Sequence, residues 1–300
     1  MAHRKTLPRA GWIGLGAMGQ PMARHLAAYG ALAAVWNRSG EKAAALAADC
    51  GCRHVERLAE LPAEVEVILT CVSADNDLET VIAQLLPELR PGQIIVDHST
   101  VAPATVRRLA AEVAAHLGAM IDAPVSGGVE GAENGRLAVM AGGDAEVLED
   151  VRPLLECYSA KITYLGPSGN GQAAKAVNQV LVAGIAEGVC EGLALAEALQ
   201  LPREPLLEVL RGGAAGCWFL DKRGASMLDN RFTGGFKLAL LHKDLEICAR
   251  LAAAIGAELP TVQAALADYG QLLAEGRGDE EISALIRHKR QQIHGHGQTS

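Results

Sequence analysis

The stretch Ala10-Gly-Trp-Ile-Gly14-Leu15-Gly16-Ala17-Met18-Gly19-Gln-Pro21 decides the fold. Ala10 to Leu15 reads as a short apolar strand, and Pro21 to Tyr29 as a helix closed by Gly30. Between them stand three glycines at G-x-G-x-x-G spacing. Alone, that spacing is a weak signal; between a strand and a helix it marks a turn built to receive a pyrophosphate. The first glycine permits the tight turn, the second lets backbone approach the phosphates, and the third lets helix and strand pack closely. The helix N-terminus adds N–H donors and positive potential.

Outward from this turn, strands and helices alternate. Leu32 to Trp36 reads as the second strand and Glu41 to Ala48 as the next helix. Val65 to Val72, Ile94 to Asp97 and Met120 to Ile121 are further apolar strands. Such runs, separated by helices, predict a parallel sheet covered on both faces. Leu137 to Met140 and Ile162 to Leu165 would add strands at its far edge. After Gly166-Pro-Ser-Gly-Asn-Gly the strand signal ends. Gln172 to Leu199 reads as one helix of about 28 residues, near 42 Å long. Glu204 to Arg211, Leu238 to Ile255, Thr261 to Glu275 and Glu280 to His294 read as further helices, and the tail from Gln292 as frayed. The expected fold class is therefore α/β: a doubly wound parallel sheet in residues 1–165, then an all-α domain in 166–300, joined by a long helix.

Composition fits this reading. The chain has 300 residues, 50% of them hydrophobic and 21% charged, enough for a real core. A net charge of −8 argues against nucleic acid or an acidic membrane face as partner. The most apolar stretch, Ala173 to Leu199, is interrupted by Lys175, Asn178, Gln179, Glu187, Glu191 and Glu197, so no membrane span is expected. The N-terminus has basic residues but no apolar segment of a secretory signal. The seven cysteines show no metal-ligand spacing, so no metal is expected, and they read as small buried thiols of a cytoplasmic protein.

The end of the second strand speaks to the cofactor. A dinucleotide fold that takes NAD usually places a carboxylate there, on the ribose 2′-hydroxyl. Here the run is Val35-Trp36-Asn37-Arg38-Ser39. Arg38 can pair with a 2′-phosphate and Ser39 can donate to it, which favours NADP and leaves NAD a weaker alternative. A solvent-facing loop arginine is the plainer reading of Arg38.

Two further segments can handle a substrate. Asp122-Ala-Pro-Val-Ser126-Gly127-Gly128 follows a predicted strand at the edge where open sheets bind ligands. Its hydroxyl and accessible backbone N–H groups suit a carboxylate. Gly169-Asn-Gly-Gln-Ala-Ala-Lys175-Ala-Val-Asn178 opens the long helix, and Lys175 and Asn178 share one face at i, i+3. A lysine in the first turn opposes the helix dipole, and partial burial would depress its pKa further toward acid–base use. A surface lysine is the plain alternative. Lys243-Asp244 is either a solvated helix face or, among Leu240, Leu241 and Leu245, partly buried. Nothing distinguishes His242 from a helix-surface histidine.

In this order the four motifs Gly14-Leu-Gly-Ala-Met-Gly-Gln-Pro-Met22, Asp122-Ala-Pro-Val-Ser-Gly-Gly128, Gly169-Asn-Gly-Gln-Ala-Ala-Lys175-Ala-Val-Asn178 and Lys243-Asp244-Leu resemble the β-hydroxyacid dehydrogenase family, 3-hydroxyisobutyrate dehydrogenase type. The likeness runs roughly from Ala10 to Arg290. It implies a Rossmann-type first domain, catalytic Lys175 assisted by Asn178, and a substrate carboxylate held by Ser126, Gly127 and Gly128. It also implies Thr100 and Lys243 near the cofactor and Cys71-Val72-Ser73 on its adenosine side. Asn37-Arg38-Ser39, Phe236 and Asp244 are similar to the NADP-using branch that reduces glyoxylate and succinic semialdehyde. Gly212-Gly-Ala-Ala-Gly-Cys-Trp-Phe219 is small and apolar where 3-hydroxyisobutyrate enzymes tend to be more polar. The chemistry implied is hydride transfer on a small carboxylate-bearing aldehyde or hydroxy acid. An imine reductase on a similar scaffold and a non-catalytic dinucleotide-binding module are the alternatives; Lys175 counts against the first and the intact carboxylate loop against the second. Surplus apolar residues on the long helix predict a homodimer or homotetramer.

Overall fold

The computed structural model describes residues 7–295. The chain forms two compact units, one ending at Lys175 and one beginning at Ala176.

The first unit opens with β1 (Ala10–Ile13), α1 (Gly19–Ala28), β2 (Leu32–Trp36), α2 (Gly40–Cys50), β3 (Arg53–His54) and α3 (Leu61–Glu64). It continues with β4 (Val67–Thr70), α4 (Asp75–Leu85), β5 (Ile94–Asp97), α5 (Pro103–Ala115) and β6 (Ala119–Asp122). These six strands form one parallel sheet in the order β3-β2-β1-β4-β5-β6. The order reverses beside β1, so the connections leaving the carboxyl ends of β1 and β4 run in opposite directions, where such sheets open a crevice for ligands. Every residue of β1 and β4 is buried, as a sheet covered on both faces requires.

The remaining strands depart from expectation. β7 (Val125–Ser126), β8 (Leu137–Ala141) and β9 (Ser159–Tyr164) form a separate three-stranded sheet, with α6 (Gly128–Glu133) and α7 (Ala145–Leu155) between them. They form no ladder with the large sheet, whose edge meets theirs at one antiparallel bridge between Asp122 and Gly142. Only Ala123 and Pro124 separate β6 from β7. A parallel crossover needs a dozen or more residues, so β7 cannot return as a parallel neighbour and pairs antiparallel with β8 instead.

The long helix is α8 (Asn170–Ala198), 29 residues. The division between units falls inside it rather than at 165. Its first turn is bonded to the first unit: the Gly169 and Gln172 amides donate to the Asp122 carboxylate at 2.8 and 3.0 Å. By length and composition alone α8 could cross a membrane, which the sequence reading did not allow. Ala183, Ala186, Cys190, Leu193 and Ala194 on it belong to the core of the second unit.

That unit continues with α9 (Arg203–Gly212), α10 (Trp218–Leu228), α11 (Leu238–Ala254), α12 (Pro260–Ala274) and α13 (Leu285–Gly295). α10 was not expected; the Cys217 Sγ accepts from the Leu220 amide and starts it. The helix expected from Glu280 begins only at Leu285, after a 3₁₀ turn at Ile282–Ala284. Gln292 to Gly295 is helical rather than frayed, and the last five residues lie outside the described residues. All seven cysteines are free thiols.

Candidate active site

The glycine turn separates into two packed positions and one open one. Gly14 has φ +92°, and a Cβ there would collide with the Cys71 carbonyl. A Cβ on Gly19 would collide with the Gly14 carbonyl, to which the Trp12 indole N–H also donates at 3.0 Å. These two glycines are required by the chain's own packing. Gly16 is exposed, and nothing lies within 4 Å of where its Cβ would stand. The turn therefore fits a dinucleotide: the glycine that the chain itself does not need is the one at which backbone would approach phosphate. Ala17 is exposed beside it and Met18 is half-buried at the start of α1.

The end of β2 is tied to this turn. The Asn37 Oδ1 accepts from the Leu15 amide at 2.9 Å, and its Nδ2 donates to the Ser39 carbonyl at 3.1 Å. Asn37 thus braces the glycine loop, a role the sequence did not suggest. Arg38 is 87% exposed and lies 3.3 Å from the Asp77 carboxylate. Ser39 is exposed just before α2.

Past β4 and β5 lies a polar network. Cys71 and Val72 are half-buried and Ser73 is exposed. Asp97, the last residue of β5, is fully buried. Its Oδ1 accepts from the Thr70 hydroxyl at 2.6 Å, the Ser99 hydroxyl at 2.6 Å and the Ser99 amide at 3.1 Å. Burial pushes the Asp97 carboxyl up to about 6, against the pull of these donors. His98 is buried too, with Nδ1 2.7 Å from the Ala123 carbonyl and Nε2 2.8 Å from the Tyr158 hydroxyl. A carbonyl only accepts, so Nδ1 carries the proton and Nε2 accepts from Tyr158. Burial brings His98 down to about 4, which keeps it neutral. Thr100 follows, half-buried.

The carboxylate loop stands at the end of β6. Ser126 is half-buried, Gly127 is exposed with φ +132°, and Gly128 opens α6 with φ +64°. Asp122, quoted in the motif but given no role, caps the start of α8 with both carboxylate oxygens. Burial raises its pKa while these amides hold it down. Lys175 is 8% exposed, so the surface-lysine alternative does not hold. Because α8 starts at Asn170, Lys175 lies in the second turn, not the first. The dipole effect fades within one turn, so burial sets this lysine's environment.

In the second unit the structure brings together Asn178, Asp244 and Lys243. The Asn178 amide donates to the Gln179 Oε1 at 2.8 Å, and the Gln179 Nε2 donates to the Asp244 Oδ2 at 2.7 Å. Lys243 pairs with the Asp244 Oδ1 at 2.9 Å. Asp244 is buried, so this pair is not a solvated face. Gln179, which the sequence reading passed over, is the link. Phe236 is half-buried against the core of this unit. His242 lies 3.8 Å from Glu246 on its own helix.

Comparison with known proteins matches residues 9–166 to the NAD-binding domain of 6-phosphogluconate dehydrogenase. Residues 169–289 match the NAD-binding domain of NADP-dependent 3-hydroxyisobutyrate dehydrogenase. An NAD-dependent L-serine dehydrogenase of Pseudomonas aeruginosa is 34% identical, over 91% of this chain and 95% of its own. A 3-hydroxyisobutyrate dehydrogenase of Mycobacterium tuberculosis, solved with L-serine, superposes with a TM-score of 0.85 at 32% identity, over 95% and 99% of the two chains. A protein called Psf3, solved with NADP+ and 2-OPP, gives 0.86 at 28% identity, over 93% and 99%. The chain belongs to the β-hydroxyacid dehydrogenase family, 3-hydroxyisobutyrate dehydrogenase type. It is an NAD(P)-dependent oxidoreductase acting on CH–OH groups.

Proposed function

We propose that the chain transfers a hydride between NADPH and a short semialdehyde or its β- or γ-hydroxy acid, with Lys175 as general acid and base. Substrates of the glyoxylate, succinic semialdehyde, tartronate semialdehyde or 3-hydroxyisobutyrate type fit this reading. The observation that carries it is a buried lysine on the helix that begins at the carboxylate-lined end of β6, in the same unit as the open glycine turn. Arg38 supports NADP over NAD. Its surface pair with Asp77 is worth about 0–1 kcal/mol, so a 2′-phosphate can take over the guanidinium at small cost.

The nicotinamide supplies or accepts the hydride when bound. In reduction, Lys175 Nζ protonates the oxygen of the aldehyde; in oxidation it removes the hydroxyl proton. Asn178, held through Gln179, orients that oxygen. Ser126 and the Gly127 and Gly128 amides are assigned to the substrate carboxylate, and Phe236 and Asp244 to the substrate as well. Thr100, Lys243 and Cys71-Val72-Ser73 are assigned to the cofactor. Residues 1–165 carry the dinucleotide turn and the carboxylate loop, and 166–300 carry Lys175, the further substrate residues, Lys243 and the assembly face. Val177, Leu181 and Ile185, exposed at i, i+4 and i+8 on α8, support a homodimer or homotetramer. The free thiols support a cytoplasmic setting.

One assay tests this. Purified protein is given NADPH or NADH with glyoxylate, succinic semialdehyde or a cyclic imine, and NAD+ or NADP+ with L-serine. Faster consumption of NADPH than of NADH with a semialdehyde is the expected result. Turnover of the imine alone, or cofactor binding without turnover, overturns the reading. L-serine oxidation with NAD+ in preference to NADP+ overturns the cofactor and substrate choice while keeping CH–OH chemistry.

A further inference from the structure

We propose that Asp97 and Ser99 are positioning residues for the dinucleotide, one buried carboxylate oxygen setting the loops after β4 and β5 together. The inference rests on the dinucleotide reading above and adds two residues to which the motifs assign no role.

The connections run outward from Asp97 Oδ1, which accepts from Thr70 and twice from Ser99. The Ser99 hydroxyl spends its proton on Asp97 and uses a lone pair to accept from the Val72 amide at 2.9 Å. Val72 belongs to the segment that backs the glycine turn. The Cys71 amide donates to the Ile13 carbonyl at 2.9 Å, and the Cys71 carbonyl fills the space a Cβ on Gly14 would take. A shift of this segment is therefore felt at the turn. On the other side, the Gln172 Nε2 donates to the Ser99 carbonyl at 2.7 Å and its Oε1 accepts from the Val101 amide at 3.2 Å. Gln172 lies three residues before Lys175 on α8, on the same side of the helix. Ser99 thus joins the glycine turn to the loop around Thr100 through its hydroxyl, and that loop to the helix bearing the lysine through its carbonyl.

A purely structural polar residue would be expected to satisfy its own groups. Asp97 Oδ2 is buried and accepts no hydrogen bond from the described residues. An unsatisfied buried carboxylate oxygen is destabilising, so its retention points to a role other than core stability.

Ser99→Ala removes the link to Val72 with little change in volume, and Ser99→Thr restores the hydroxyl. NADPH dissociation constants are measured by fluorescence titration, alongside the KM for NADPH, the KM for a semialdehyde, kcat and the melting temperature. Ser99→Ala is expected to raise the NADPH dissociation constant and cofactor KM about tenfold, the worth of one net hydrogen bond, with the semialdehyde KM unchanged. Ser99→Thr is expected to return both to within about threefold of the parent. A lowered melting temperature with unchanged NADPH affinity overturns the inference and leaves the dinucleotide reading intact. Failure of the parent protein to bind either dinucleotide overturns both.

Discussion

Asp97 and His98 are neighbours whose titrations are displaced in opposite directions by the same cause. Burial raises the Asp97 carboxyl from 3.8 to about 6 and lowers the His98 imidazole from 6.5 to about 4. The folded chain holds the Asp97 proton more tightly than the unfolded chain does. The stability from this group is full below 3.8 and is lost as pH rises through about 6. His98 does the reverse, and its contribution is lost as pH falls from 6.5 through about 4. Each displacement corresponds to about 3 kcal/mol, so the two nearly cancel across this window. Asp97→Asn leaves the His98 limb alone. Relative to the parent, the variant should gain about 3 kcal/mol of unfolding free energy between pH 4 and pH 7. Urea unfolding at three pH values checks it, and a pH-independent difference counts against it. Lys175→Ala belongs to the same scale. Turnover should fall by about 10²–10⁴ while NADPH affinity stays within about twofold, because the proposed function gives the lysine to the substrate oxygen and not to the phosphates. Lys175→Arg should fail as well, since a guanidinium keeps its proton at any working pH. Near-normal turnover of Lys175→Ala on a short semialdehyde would move the proton elsewhere, first to Asp244 or His242.

At the scale of elements, β2 and β5 were legible to the residue, because each is an apolar run bounded by clear turns. β3 and β7, two residues each, carry too little periodicity to be seen. α10 was hidden behind the small residues of Gly212 to Gly216 and is started by a cysteine, an uncommon cap. α8 starts two residues before the expected Gln172, which puts Lys175 in the second turn and not the first. The motif residues were legible from spacing, but the groups that hold them were not. Thr70 reaches Asp97 across 27 positions and Gln172 reaches Ser99 across 73, distances over which sequence pattern carries no signal. The glycine turn gives a sharp test at this scale. Gly14→Ala meets both a positive φ and a carbonyl, and should cost at least about 2 kcal/mol of stability. Gly16→Ala meets neither and should fold within about 0.5 kcal/mol of the parent, yet lose dinucleotide affinity. Equal stabilities for the two variants would refute this division of labour.

At the scale of the whole molecule, the exposed side chains of Val177, Leu181 and Ile185 predict that the chain does not remain alone in solution. Light scattering should give a mass of two or four chains, and Leu181→Glu should lower it. A parent mass of 31.3 kDa would refute the assembly. Lasting consequences follow from Asp122 as well. The start of a 29-residue helix is a natural landing place for any small anion, whether substrate, phosphate or chloride. Here the protein has filled that berth with a carboxylate of its own. A carboxylate-bearing substrate therefore has no competing pole at the head of the lysine helix to draw it out of register. On the proposed function, fidelity of docking would come in part from an attraction the molecule has already quenched.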